Sequence, residues 1–314
     1  MGEDPQAART AARAAYTVAD YLEGPYLSLC RNKNKDKTVR DKEVWIKKYL
    51  VPAFGRQLMK DVTRSDIYAF RKHFEGKAEV TWNRCFRVLR HAFQEARAEE
   101  IFPKDKVNPC IGVDQFQEAP RQNYLLPDTL MKVIAHLDRH AAVVWKRSRE
   151  RFFTSQLIKT LIYTGCRKGE IMPLTIAQVD FENAVILLKE NKEKDITKRV
   201  LLTDAAVKTL HETIRIALIC DPENPYVFHG KSKQSHITDV KRAWAKICTE
   251  LGLDDTKLHD LRHTYASLLI NNGTRKEELK EVMNHKNIQT TERYAHLWDD
   301  TKKRAVNRQN SVFR

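Results

Sequence analysis

The amino-acid sequence predicts a mainly helical protein of two domains, with a small β-sheet set into the second. Apolar residues recur at helical spacing through residues 17–114 and resume at residue 126. Two short apolar runs, Val185 to Leu188 and Arg199 to Leu202, read instead as strands. At 314 residues the chain is long for a single helical core, and the polar stretch 115–125, with Pro120 and Arg121, offers a linker between two.

Taken in order, residues 1–16 are rich in Ala and Arg and read as a helix or linker. The first domain, 17–114, carries four apolar sets: Val18, Tyr21 and Leu22; Val44, Trp45, Tyr49 and Leu50; Ile67, Phe70 and Phe74; Trp82, Phe86, Leu89 and Phe93. Four such helices can close a small bundle. Breaks are expected at Gly24-Pro25, at Pro52 to Gly55, at Gly76 and at Pro103 to Pro109, and Thr63-Arg64-Ser65-Asp66 reads as a helix start. The second domain, 126–298, begins at Leu126-Pro127-Asp128 and is helical at once. Its two strands flank the charged segment Lys189 to Lys198, expected to be a mobile hairpin, and a polar tail follows at 299–314.

Composition narrows the partners. With 56 Lys and Arg against 41 Asp and Glu the formal charge is +15, which favours polyanions and nucleic acid first, although a solvated basic surface would account for the charge alone. The six cysteines are scattered without a C-x-x-C pair and read as reduced thiols. No apolar stretch approaches the ~20 residues of a membrane span, and residues 1–15 are too polar for a secretory leader. A cytoplasmic protein without membrane partners is expected.

Six polar residues spread between 167 and 294 have the chemistry to grip, protonate and attack one phosphodiester: Arg167, Lys192, His259, Arg262, His285 and Tyr294. His259 and Arg262 are three apart within a helical pattern whose buried face is expected from Leu258, Leu261, Tyr265, Leu268 and Leu269, so imidazole and guanidinium project together. Tyr294 follows His285 by nine residues, near the first turn of a helix that Thr290 or Thr291 would cap. His263 reads as a core histidine and Glu170 as a structural partner of Arg167.

This pattern resembles the tyrosine recombinase family, the phage and genomic-island integrases, over most of the chain. Thr164-Gly165-Cys166-Arg167-Lys168-Gly169-Glu170-Ile171 looks like the family's first-arginine box, and His259 to Arg262 its H-x-x-R box. Asn284-His285 stands in the place of its glycine-histidine pair, and Arg293-Tyr294-Ala295-His296 resembles the nucleophile segment. Asn284 is the one departure, at a turn that calls for left-handed backbone.

The resemblance implies a SAM-like helical core-DNA-binding domain followed by a mixed α/β catalytic domain, with residues 1–16 the remnant of a linker to an arm-DNA-binding domain. It implies a site-specific recombinase acting without metal or cofactor on double-stranded attachment sites. The partners it implies are three further copies in a synaptic tetramer, together with DNA-bending or excision-directing factors. Arg167 and Arg262 would clamp the nonbridging oxygens, His259 would take or hold the tyrosine proton, His285 would contact the phosphate, and Tyr294 would form a 3'-phosphotyrosine. The general acid would be a hairpin lysine; Lys189, Lys192, Lys194 and Lys198 are available, position relative to Val200 favours Lys192, and Lys194 is second.

Other readings compete. His259 and His263 are spaced as in a zinc hydrolase, but Asp260 stands where that motif has Glu, and Arg262 would oppose an ion. A non-catalytic DNA-binding regulator, a Xer-like chromosome-dimer resolvase and a type IB topoisomerase are the further alternatives.

Overall fold

The computed structural model describes residues 16–118, 123–144, 148–189 and 197–284, and beyond them residues 292, 294, 295, 297 and 298. The chain divides into two compact units, residues 1–119 and 120–314. Among the described residues no helix is long and apolar enough to cross a membrane.

In the first unit Thr17 caps α1 (Val18–Tyr21) by accepting the Asp20 N–H, and Asp20 returns the bond to the Thr17 N–H. The break expected at Gly24-Pro25 does not occur. A π turn, Leu22–Tyr26, takes Pro25 into the helix and leads directly into α2 (Leu27–Lys33). Proline lacks the N–H for the carbonyl four residues back and its ring collides with that carbonyl; widening the turn removes both conflicts. The same device follows α3 (Asp36–Trp45), where the π turn Ile46–Leu50 continues into α4 (Val51–Phe54), and Pro52 sits harmlessly in the first turn.

The start expected at Thr63 is present as a capping box on Asp66, opening α5 (Arg64–Lys72), and Gly76 at φ +68° separates it from α6 (Glu79–Ala98). Trp82 and Phe86 of α6 stack at 5.2 Å, and Phe70 meets Trp82 at 5.5 Å, at the centre of an aromatic core. Buried Asn83 exchanges two hydrogen bonds with the Phe116 backbone, so residues read as linker pack on this unit.

The second unit is organised around α8 (Arg149–Thr164), which packs against α7 (Pro127–Val144), α10 (Asp204–Cys220) and α12 (Asp260–Asn271). Contact on so many sides buries even its polar positions. The Thr160 and Thr164 hydroxyls donate back to Gln156 O and Thr160 O, which satisfies them inside the helix. Short α9 (Lys168–Ile171) leads to an antiparallel sheet in the order β1 (Val179–Asp180), β2 (Val185–Lys189), β3 (Thr197–Leu201). The strand β1 is an addition to the two expected, and β3 begins two residues before Arg199. The remaining helices are α11 (Lys241–Leu251) and α13 (Lys276–Val282).

Candidate active site

The site begins where α8 stops. Gly165 takes the left-handed conformation at φ +60°, and a Cβ there would lie 2.3 Å from Tyr265 Cδ1, so only glycine fits the turn and the ring packed on it. The turn delivers Arg167 to the N-terminus of α9. Glu170 accepts the Arg167 backbone N–H at 2.9 Å and its guanidinium Nη1 at 3.2 Å, which orients the first arginine.

Strand pairing brings in a cation that the sequence placed in the hairpin. Lys198 pairs with Leu188 across the sheet, and alternation puts it on the buried face with Val200. Its Nζ donates to Glu170 Oε2 at 3.1 Å, with the side chain only 5% exposed. Burial on its own raises the Glu170 pKa, but the Lys198 ammonium and the Arg167 N–H and guanidinium outweigh it and hold the carboxyl below its ordinary value. Lys198 is therefore held in place by Glu170. The sequence signal was present, because extending the alternation of Leu202 and Val200 by one step reaches Lys198.

Arg262 projects from α12 and ties two loops together. Its Nη1 donates to Gly165 O and its Nη2 to Met283 O, each at 2.6 Å. Burial, then the like charge of Arg167, pushes its pKa down. Three cations, Arg167, Lys198 and Arg262, thus act on one carboxylate, and the excess positive charge favours an anion. Beyond Met283, Asn284 adopts φ +47°, the left-handed backbone expected at this turn.

The helix α12 departs from the amphipathic pattern expected of it. Besides Leu261, its buried residues include Asp260, Arg262, His263, Thr264 and Ser267, while Leu258, Tyr265, Leu268 and Leu269 are only partly covered. The polar residues are tolerated because they are bonded: the Lys257 N–H reaches Asp260 Oδ2 at 2.8 Å, and Thr264 Oγ1 donates to Asp260 O and accepts the Leu125 N–H. His263 is buried, as expected of a core histidine. Its Nδ1 lies 2.7 Å from the Tyr294 hydroxyl, which is itself 5% exposed. His259 meets His263 edge to face at 5.1 Å and shares with Arg262 the wall of a cleft of about 500 Å³, whose lining also includes Lys168, Lys241 and Lys257.

The described residues therefore bring together Arg167, His259, Arg262 and Tyr294. Lys192, Lys194 and His285 lie outside the described residues, as do Thr290, Thr291 and Arg293; the side chain of Lys189 is likewise outside them. Among the described residues His259 and His263 belong to no group able to hold a metal ion.

A helical unit followed by a helical unit with a small antiparallel sheet, and two arginines converging beside a tyrosine, define a tyrosine recombinase. The chain belongs to the phage integrase family, whose model matches residues 123–300. It is 23% identical over 312 residues to the ICEBs1 integrase of Bacillus subtilis (strain 168), covering 92% of this chain and 81% of that protein. Its fold matches the Tn1549 transposon integrase in complex with transposon right end DNA, with TM-score 0.72, 18% identity and coverage of 93% and 99%. It also matches a lambda integrase tetramer bound to a Holliday junction, with TM-score 0.68, 19% identity and coverage of 91% and 82%.

Proposed function

We propose that this recombinase is the integrase of a mobile element, cleaving and rejoining double-stranded DNA at attachment sites in the cytoplasm. The observation that carries the reading is the seating of the Tyr294 hydroxyl on His263 in the same site as Arg262 and Arg167. In the reaction the Tyr294 oxygen attacks phosphorus, the bond to the 5'-oxygen breaks, and a 3'-phosphotyrosine forms; attack by the 5'-hydroxyl of a second strand reverses the step. Each transfer exchanges one phosphate ester for another, so no external energy source is needed. Arg167 and Arg262 stabilise the charge on the nonbridging oxygens, with Glu170 and the Gly165 and Met283 carbonyls holding them in place. His259 assists loss of the phenolic proton, His285 contacts the phosphate, and Lys192 protonates the departing 5'-oxygen. Four copies act together on two sites, as the DNA-bound lambda relative supports, and accessory DNA-bending or excision-directing proteins set the direction.

The test is covalent capture on a nicked suicide substrate carrying the element's end. Wild-type protein gives an SDS-resistant adduct, while Tyr294→Phe binds the same DNA and gives none. An adduct that persists in Tyr294→Phe assigns the nucleophile elsewhere.

A further inference from the structure

Away from the recombinase site, one group of side chains in the second unit has the composition of a metal-ligand set. His136 and His140 are four apart on α7 and share one face, with ring centroids 4.5 Å apart. Glu250 of α11 faces them, its Oε2 3.2 Å from His136 Nε2 and 4.0 Å from His140 Nε2. Taking one ligand atom from each, all lie within 4.8 Å of one another. The other oxygen, Oε1, is drawn to Lys246 Nζ at 3.7 Å, which leaves Oε2 turned toward the imidazoles.

His136 separates a metal site from an ordinary ion pair. The residue is 9% exposed, and its Nε2 is shut off from solvent yet makes no hydrogen bond. Buried nitrogens are ordinarily paired, because an unmet one forfeits its hydration for nothing. Glu250 Oε2 lies 3.2 Å away, yet the pair does not form a hydrogen bond. A shared ion accounts for both facts. Two ligands each ~2.0–2.1 Å from a tetrahedral zinc lie ~3.3 Å apart, with the ion rather than the second ligand on the nitrogen's lone-pair axis.

We propose that His136, His140 and Glu250 bind a divalent transition-metal ion of the zinc type, clamping α7 to α11. Two imidazoles and one carboxylate suit zinc, cobalt or iron(II) rather than the all-oxygen preference of magnesium and calcium. The ion takes no part in phosphoryl transfer. Its effect is mechanical: α11 also supplies Lys241, Trp244 and Cys248 to the cleft beside His259, and Glu250 leaves that helix on a different side, so the ion braces the cleft wall from behind.

Chelator-treated, tag-free full-length protein is titrated with Zn²⁺ by calorimetry and with Co²⁺ by visible absorption. The expected result is one ion per chain, cobalt bands of nitrogen and oxygen coordination without a thiolate band, and a Zn²⁺-dependent rise in melting temperature. Losing an outer-shell partner already weakens metal sites ~10- to 100-fold, so His140→Ala and Glu250→Gln should each cost at least ~10-fold in affinity. Both residues are only partly covered, and circular dichroism verifies that each variant is folded; His259→Ala should bind Zn²⁺ like the wild type. Absence of saturable binding, binding unchanged in both folded variants, loss of binding in His259→Ala, or a thiolate band each overturns the assignment.

Discussion

At Tyr294 a phenol lies 2.7 Å from the Nδ1 of His263. His263 and His259 share a helix, and only the three-dimensional approach of Tyr294, 31 residues further on, tells them apart. A neutral hydrogen bond contributes ~1 kcal/mol, so if His263 positions the phenol, His263→Phe should slow covalent complex formation roughly fivefold. A loss of ~10²-fold or more in the same single-turnover assay would instead make it the proton acceptor. Glu170 yields a second prediction. Because its folded pKa lies below the ordinary value of 4.5, its ion pairs stabilise the fold above that value, and the contribution is lost as pH falls through the depressed folded pKa. Glu170→Gln should therefore melt earlier than wild type at neutral pH, and the gap should close in acid. A gap independent of pH would assign its effect to packing. Among the residues legible in the sequence Asn284 stands out, because its place before His285 called for left-handed backbone and its φ is +47°. For Gly165→Ala the backbone penalty and the collision with Tyr265 combine to an expected ~2–5 kcal/mol loss in chemical denaturation.

Among elements, the two strands β2 and β3 were visible as apolar runs, yet the edge of β3 was set too late and Lys198 was therefore read as loop charge. An inward lysine contradicts the rule that charge marks the solvent face, and nothing local announces a carboxylate 28 residues earlier waiting to receive it. The break expected at Gly24-Pro25 failed for a related reason: Pro25 is a breaker by local chemistry, and only packing of Leu22 and Tyr26 into one core makes a continuous helix the better solution. Lys198 is bound to Glu170, and the proposed acid is tested at Lys192. Replacing the 5'-oxygen by sulfur gives a leaving group that needs no proton. Lys192→Ala should be ~10²- to 10⁴-fold slow on ordinary DNA and recover on the phosphorothiolate. Arg167→Ala should stay defective on both, and rescue of Lys194→Ala instead would move the acid by two positions.

Over the whole molecule, the formal charge of +15 spreads across both units, and the region 231–246 contributes Lys241 to the cleft beside His259. If ~6 phosphates or more are neutralised per protomer, log K for a core site should fall with log salt at a slope steeper than about −5. A slope near zero would remove DNA as the principal partner. The mainly helical class was readable because periodicity acts over many residues. The convergence of Arg262 on two main-chain oxygens was not, since hydrogen bonds to backbone leave no mark in side-chain pattern. That convergence carries a kinetic consequence. One guanidinium spans the carbonyls of Gly165 and Met283, so neither loop can open without releasing the other. In native-state hydrogen exchange the amides of Gly165, Met283 and Asn284 should report a single opening free energy, and Arg262→Lys, with one ammonium in place of the fork, should split it into two.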